Sequence, residues 1–214
     1  MTDRQSVAGL VLAGGEARRM GGEAKAFVPL AGRPMVDYVL QRITAQVHPC
    51  WLAVGQGDAR FARYALPMFE DRDPQARGPL AGLQAGLEQL QAQGLSWLVL
   101  SPCDAPFLPL DLVERLLDDV QDGDRVLLPA LDDQPHPTFS AWHVETLEAV
   151  RTALATRGGA GLMAVLRSLP HREIPWNDGS DPSPFFNVNT PAELASAERQ
   201  LGRETLPSPG ADAA

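Results

Sequence analysis

The residues best suited to chemistry stand near the start of the sequence, in Leu10-Val11-Leu12-Ala13-Gly14-Gly15-Glu16-Ala17-Arg18-Arg19-Met20-Gly21-Gly22-Glu23-Ala24-Lys25. An apolar run breaks there into glycines and then presents two arginines and a lysine. Successive backbone N–H groups in a glycine-rich turn can surround phosphate oxygens, and neighbouring cations neutralise the charge. The spacing fits neither common phosphate loop. A P-loop needs Gly-Lys-Ser/Thr four residues after a Gly, and a dinucleotide loop needs Gly-x-Gly-x-x-Gly. Of eighteen basic residues seventeen are arginine, and Lys25 is the only lysine. A compact ammonium with three donors on a flexible stem is poorly replaced by a planar fork, so its placement here points to a contact that needs a point charge.

A second candidate follows the apolar run Trp97-Leu98-Val99-Leu100, which leads directly into Ser101-Pro102-Cys103-Asp104-Ala105-Pro106. This sets an acid just past the carboxyl end of a buried strand. Open α/β sheets bind ligands beyond the carboxyl ends of their strands, where Asp104 would meet a divalent metal; capping of the following turn is the other reading. Asn187 and Asn189 alternate about Val188, so in an extended segment both face one way, a spacing that turn chemistry does not require. His136 lies between Pro135 and Pro137, which stiffen its presentation, and a solvent-exposed imidazole without a catalytic task is expected. Cys50 and Cys103 read as reduced core residues at strand ends. The four histidines, His48, His136, His143 and His171, are too scattered for a zinc site.

The elements that must position these residues alternate between strand and helix. Val7 to Leu12 is short, β-branched and almost uncharged, the pattern of a buried parallel strand. Pro34 suits a first helical position, and Met35, Val36, Val39, Leu40 and Ile43 recur at helical spacing. Trp51 to Val54 reads as a strand, Asp58 to Ala65 as a short helix, and 69–79 as a polar, solvated loop. Pro79 then opens a helix carrying Leu80, Leu83, Leu87 and Leu90. Leu112, Val113, Leu116 and Leu117 form another helical face. Arg125 to Ala130 reads as a strand, and the alternation of Phe139-Ser140-Ala141-Trp142 as a mixed or antiparallel one. Helices over 144–156 and 162–169 flank the loop Arg157 to Gly161, His171 to Trp176 is a strand, and 177–184 is loop. Thr190, Pro191 and Glu193 then stand as N-cap, first helical residue and capping-box acid. Such alternation predicts a parallel sheet covered by helices on both faces.

Composition narrows the functional classes. The chain has 214 residues, enough for a well-buried core and read as one domain over 1–205, with a disordered tail of small residues and proline over 206–214. A net charge of −9 argues against a general nucleic-acid or anionic-membrane surface. No basic-then-apolar leader opens the sequence, and no apolar run reaches the ~18 residues of a membrane span, so a cytoplasmic protein is expected.

Five segments in order carry a resemblance: Leu12-Ala13-Gly14-Gly15 with Arg19-Met20-Gly21-Gly22 and Lys25; Gly78-Pro79-Leu80-Ala81-Gly82; Pro102-Cys103-Asp104-Ala105-Pro106; His136-Pro137-Thr138; and Asn187-Val188-Asn189-Thr190-Pro191-Ala192-Glu193-Leu194. Together, from about Val7 to Gln200, the chain resembles the molybdenum cofactor guanylyltransferases. The resemblance implies a three-layer α/β/α sandwich with a mostly parallel, Rossmann-like sheet. It implies Mg²⁺-dependent transfer of GMP from GTP to the phosphate of Mo-molybdopterin, with release of pyrophosphate, and molybdoenzymes or their chaperones as recipients. By position it assigns GTP to Leu12, Ala13, Gly14, Gly15 and Lys25, the nucleoside to Asp71, and Mg²⁺ to Asp104. Arg19 joins Lys25 on the developing pyrophosphate, and Asn187 and Asn189 contact the pterin-side substrate or phosphates. The Gly14-Gly15 pair looks like the guanylyl form rather than the related cytidylyltransferases. One departure concerns the base: the family often has an Asn after its second strand, whereas here the segment reads Val54-Gly55-Gln56-Gly57-Asp58. Transfer from CTP, a different phosphate acceptor and a non-catalytic cofactor-delivery role are the alternatives.

Overall fold

The computed structural model describes residues 7–14, 24–70, 78–156, 161–177, 179 and 183–204. Strand β1 (Val7–Ala13) lies at the centre of an eight-stranded sheet and pairs in parallel with β4 (Cys50–Val54) on one side and β6 (Trp97–Pro102) on the other. A strand hydrogen-bonded on both edges and covered on both faces must be apolar throughout, which is why its sequence is a continuous run rather than an alternating one. Beyond β4 comes β5 (Met68–Glu70), also parallel. On the other side β9 (Ala141–His143) pairs antiparallel with β6 and with β7 (Val126–Leu131), and β10 (His171–Pro175) closes that edge parallel to β7. The sheet is therefore mostly parallel, as expected, with β9 and the two-residue β8 (Gln134–Pro135) reversed.

Side chains alternate across it. Val7, Val11 and Ala13 enter one apolar cluster with α1 (Met35–Ile43) and α3 (Leu112–Leu117). Ala8 and Leu10 enter the other, with α2 (Pro79–Ala92), α4 (Leu147–Ala155) and α5 (Leu162–Arg167). These are the three layers of an α/β/α sandwich. A third, smaller cluster joins Val28, Leu30 and Met35 to Phe107, Val188 and Ala197 on α6 (Pro191–Glu204), fastening the last helix beside the start of α1. Among the described residues no helix is long and apolar enough to cross a membrane.

Several local expectations are corrected. Pro34 caps α1 instead of entering it, because Arg33-Pro34 forms a small hairpin, β3, with Pro29–Leu30, β2. Its turn, Ala31-Gly32, has φ of 48° and 80°, the paired left-handed conformation of a tight hairpin. The segment read as solvated loop begins with β5. Phe139 belongs to a 3₁₀ turn, Pro137–Phe139, and the antiparallel strand starts two residues later. A two-residue strand β8 (Gln134–Pro135) folds back on β7 through Asp132 and Asp133, both at positive φ. The short helix after β4 is a 3₁₀ segment, Ala59–Tyr64, and the first turn of the helix at 144 is likewise 3₁₀. The loop 157–160 and the tail lie outside the described residues.

Two glycines set how closely α2 approaches the sheet. A Cβ at Gly82 would lie 2.8 Å from the Cβ of Ala53, which is fixed to its strand, whereas one at Gly86 would meet the mobile tips of Leu98, at 2.7 Å, and Leu10, at 3.0 Å. Overpacking a fixed contact costs about 1–3 kcal/mol, while Gly to Ala inside a helix regains about 1 kcal/mol. Gly82→Val is expected to lower unfolding free energy by about 1–3 kcal/mol. Gly86→Ala is expected to stay within about 1 kcal/mol of the parent. Urea midpoints of the two variants check both.

Candidate active site

Three stretches far apart in sequence meet at the carboxyl edge of the central strands. Strand β6 delivers the first: after Pro102 the chain turns, the Cys103 N–H donates to the Leu12 carbonyl at 3.1 Å, and Asp104 follows directly. Asp104 is 7% exposed, so its carboxylate is shielded and needs a partner. The Lys25 ammonium supplies one, donating to Asp104 Oδ2 at 3.0 Å. Lys25 sits on a 3₁₀ turn, Lys25–Phe27, anchored by fully buried Ala26 and by Phe27, whose ring packs 4.6 Å from that of Phe61. The same ammonium donates to Asn189 Oδ1.

Asn189 is held by the cap of α6. Its backbone N–H donates to the Glu193 carboxylate at 2.7 Å, and the Glu193 N–H donates to Thr190 Oγ1 at 3.3 Å. The capping box is thus shifted by one residue: Glu193 reaches the residue before the cap, and in doing so fixes the asparagine that meets Lys25. Val188 is fully buried and its N–H donates to the Asp104 carbonyl at 2.8 Å, so the asparagine segment and the acid form one backbone unit. Asn187 does not join Asn189 on the lysine. Its side-chain Oδ1 is buried with no hydrogen-bond partner among the described residues, an acceptor left for a ligand to satisfy.

The remaining candidates divide. Gly14 follows β1 at the same edge. A Cβ there would meet only Gly55 N at 3.7 Å and Val54 C at 3.8 Å, so internal packing does not demand glycine, and close approach of a ligand to the backbone is a reason for it. Ala13 is 2% exposed, and Leu12 is half-buried against the α2 cluster. Gly15, Arg18, Arg19 and Asp71 lie outside the described residues. In the segment that departs from the family pattern, Asp58 is committed to Arg60, with Nε and Nη2 contacts of 2.8 Å each. This hydrogen bonding holds the Asp58 carboxyl below its usual range. Gln56 beside it is exposed.

His136 corrects an expectation. Its ring is half-buried, stacking on Phe185 at 4.7 Å between centroids with the planes 29° apart. Burial lowers its pKa, favouring the neutral ring. Both cysteines are buried and unpaired, as expected of reduced core residues. Burial pushes the Cys50 thiol up to about 12 and raises that of Cys103 as well, so neither is a thiolate nucleophile at neutral pH.

The donors suit a hard cation. Asp104 has one carboxylate oxygen engaged among the described residues, and no cluster of three or more His, Cys, Asp or Glu is placed there to hold a metal. Mg²⁺ asks for no such cluster, being held by one or two carboxylates together with water and substrate phosphates. An ammonium, a shielded carboxylate and amide groups at the end of a parallel sheet suit polyphosphate chemistry. They contain no activated hydroxyl or thiol.

Comparison with known proteins assigns a family and supports the fold. The family model for the MobA-like NTP transferase domain matches residues 9–173. A molybdenum cofactor guanylyltransferase of Mesorhizobium japonicum is 35% identical over 202 residues, covering 92% of this chain and 97% of that protein. One from Cereibacter sphaeroides is 37% identical over 196 residues, with coverage of 92% and 97%. Among solved structures, molybdopterin-guanine dinucleotide biosynthesis protein A of Archaeoglobus fulgidus superposes with a TM-score of 0.76 at 24% identity, covering 92% of this chain and 99% of that one. A 4-diphosphocytidyl-2C-methyl-D-erythritol synthase of Anaerococcus prevotii shares the fold with a TM-score of 0.72 at 11% identity, with coverage of 94% and 100%. With a family model matched over residues 9–173 and relatives above a third identity over more than nine-tenths of both chains, the chain belongs to the molybdenum cofactor guanylyltransferase family of MobA-like nucleotidyltransferases.

Proposed function

We propose that the protein transfers GMP from GTP to the phosphate of Mo-molybdopterin, forming molybdopterin guanine dinucleotide and pyrophosphate. The observation that carries this reading is the Lys25 ammonium held between Asp104 and Asn189 at the carboxyl edge of the sheet. The acceptor is a phosphate monoester that is already anionic. Its oxygen attacks the α-phosphorus of GTP as the bond to the bridging oxygen breaks, and the electron pair leaves with pyrophosphate. No proton has to be removed, so the absence of a Ser–His or Cys–His pair from the assembled residues is in keeping with the chemistry. What the reaction needs is alignment and charge neutralisation.

In this reading Lys25 turns a donor toward the phosphates, joined by Arg19. The backbone of Leu12, Ala13, Gly14 and Gly15 lines the triphosphate and guanine, and Asp71 meets the nucleoside. Asn187 and Asn189 contact the pterin-side substrate or phosphates, the unpaired Oδ1 of Asn187 accepting a hydrogen bond from an N–H of that substrate. Asp104 is the residue that would hold Mg²⁺, which when bound supplies further neutralisation of phosphate charge. The segment Val54-Gly55-Gln56-Gly57-Asp58 has no asparagine for the base, and its Gln56 is exposed. The cytoplasm, where GTP is made and held, is where we place the reaction.

The defining measurement incubates the protein with Mo-molybdopterin, Mg²⁺ and each of GTP, CTP, ATP and UTP in turn. Dinucleotide and pyrophosphate are expected with GTP and to vanish on chelation by EDTA; product from CTP instead would assign the base wrongly. Asp104→Ala is expected to lower kcat by roughly 10²–10³-fold, the usual cost of losing one electrostatic stabiliser, while circular dichroism stays that of the parent. Lys25→Arg tests the need for a point charge and is expected to lose at least about tenfold in kcat/KM, because a planar fork does not reproduce a contact divided between a carboxylate and an amide. Gly14→Ala separates ligand approach from packing: an unchanged melting temperature with KM for GTP raised by about tenfold is expected, on the order of one lost backbone contact.

A further inference from the structure

The ring of His136 has no place in the reaction as derived, yet the fold fixes it with unusual care. Pro135 and Pro137 restrict the backbone on either side. The His136 N–H donates to the Pro129 carbonyl at 2.9 Å, and its own carbonyl accepts from the Phe139 N–H at 3.1 Å. The imidazole stacks on Phe185 at 4.7 Å and meets Phe139 edge-on at 6.2 Å. Phe185 is gripped in turn by Phe139 at 5.0 Å and Trp176 at 5.2 Å, and the Arg115 guanidinium covers Trp176 at 3.5 Å from the ring centre. Three of these rings, Phe139, Trp176 and Phe185, are core residues at 0–3% exposure, whereas His136 is only half-buried at the end of the stack. Packing alone would be served at least as well by an apolar ring in that place.

Topology puts this ring on the acceptor's side of the site. His136 leads into β9, which lies between β6 and β7, so it stands at the same carboxyl edge as Asp104 and one strand over. Phe185, its stacking partner, is four residues before Asn189 and two before Asn187. A four-residue step spans at most about 14 Å. The stack and the Lys25 contact are therefore the two ends of one short segment, in the arrangement needed by an acceptor with a ring at one end and a phosphate at the other.

We propose that the His136 imidazole hydrogen-bonds the polar edge of the acceptor's fused heterocycle, making it a specificity residue for the second substrate; this deepens the guanylyl-transfer reading and rests on it. Among the described residues neither ring nitrogen has a hydrogen-bond partner, and a neutral imidazole offers one donor and one acceptor. That pair complements a heterocycle with adjacent N–H and carbonyl groups. It does not suit a phosphate, which asks for a cation.

The experiment compares wild type, His136→Phe and His136→Gln by equilibrium binding of molybdopterin, followed through pterin fluorescence, and of GTP. Phe keeps the stack and removes the nitrogens; it is expected to weaken molybdopterin binding about tenfold, with GTP affinity and melting temperature unchanged. Gln gives up the stack but keeps a donor and an acceptor, and is expected to bind molybdopterin more tightly than Phe does. If the Phe variant fails to fold, His136→Leu takes its place with the same expectation. Molybdopterin binding by the apolar variant equal to wild type, a loss falling equally on GTP, or a Gln variant weaker than the apolar one would each overturn the assignment. Dinucleotide synthesis by the wild-type protein is the separate readout of the guanylyl-transfer reading: its absence sinks that reading, while synthesis with an unaffected apolar variant sinks the His136 assignment alone.

Discussion

One ammonium shared between a carboxylate and an amide ties together parts of the chain that are 79 and 164 residues away from it. The contact answers a problem the fold creates. A parallel sheet with helices on both faces brings the end of β6 into a shielded place, and a carboxylate there is costly unless a countercharge sits beside it. Lys25 is that countercharge. Its own position is fixed by Ala26 and Phe27 in the core, and that of Asn189 by the cap of α6. The site is thus assembled by ordinary packing and capping before any ligand arrives. This is the condition under which electrostatic stabilisation is effective, because no reorganisation is then required at the moment of reaction.

Much of this was legible in the sequence because the central elements obey local rules. Continuous apolar runs at Val7 to Leu12 and Trp97 to Leu100 read as buried parallel strands because each is short, uncharged and bounded by turn residues, the pattern of a strand covered on both faces. The Thr190-Pro191-Glu193 signal placed the start of α6 through capping chemistry alone. What stayed hidden depends on pairing. Strand β5 has three residues and is a strand only because β4 offers it an edge. Strand β9 reverses direction between two parallel neighbours, as the alternation over 139–142 indicates, but its bounds were hidden: Phe139 goes to a 3₁₀ turn and pairing begins at Ala141. The shift of the capping-box acid from the cap to Asn189 is equally invisible, since both arrangements use the same residue types at the same spacing. The environment of His136 required knowing that Phe185, 49 positions on, would supply a ring face.

The fold does not by itself select the reaction. A synthase in which only 11% of residues match superposes with a TM-score of 0.72. The fold is therefore shared by proteins of very different sequence, and discrimination has to come from the side chains set on it. The described sheet divides accordingly. Strands β4, β1 and β6 present glycines, Lys25 and Asp104, groups suited to phosphate and metal and indifferent to what else the substrate carries. The ends of β7 and β10 and the start of β9 hold His136 on a buried stack of Phe185, Phe139 and Trp176, and of these rings the half-buried imidazole is the one that can meet a heterocycle. Residues 187–189 run between the two halves.

The division of labour between arginine and lysine follows the same logic. Four of the described arginines lie in contacts where a planar fork is an advantage: Arg60 holds Asp58 with two nitrogens at 2.8 Å, Arg151 reaches Glu88 at 3.0 Å, Arg172 reaches Asp124 at 2.8 Å, and Arg115 lies over the Trp176 ring. These are bidentate or stacked geometries, in which guanidinium is pre-organised. Lys25 faces a different task. Its partners are a carboxylate oxygen and an amide oxygen from unrelated segments, met by N–H groups that diverge tetrahedrally from one nitrogen. An ammonium has three such groups, and two are committed among the described residues. In the proposed reaction the third serves a phosphate oxygen without breaking either contact, so one side chain both neutralises Asp104 and carries charge to the substrate. A protein whose other seventeen basic residues are all arginine keeps its single lysine where that geometry is required.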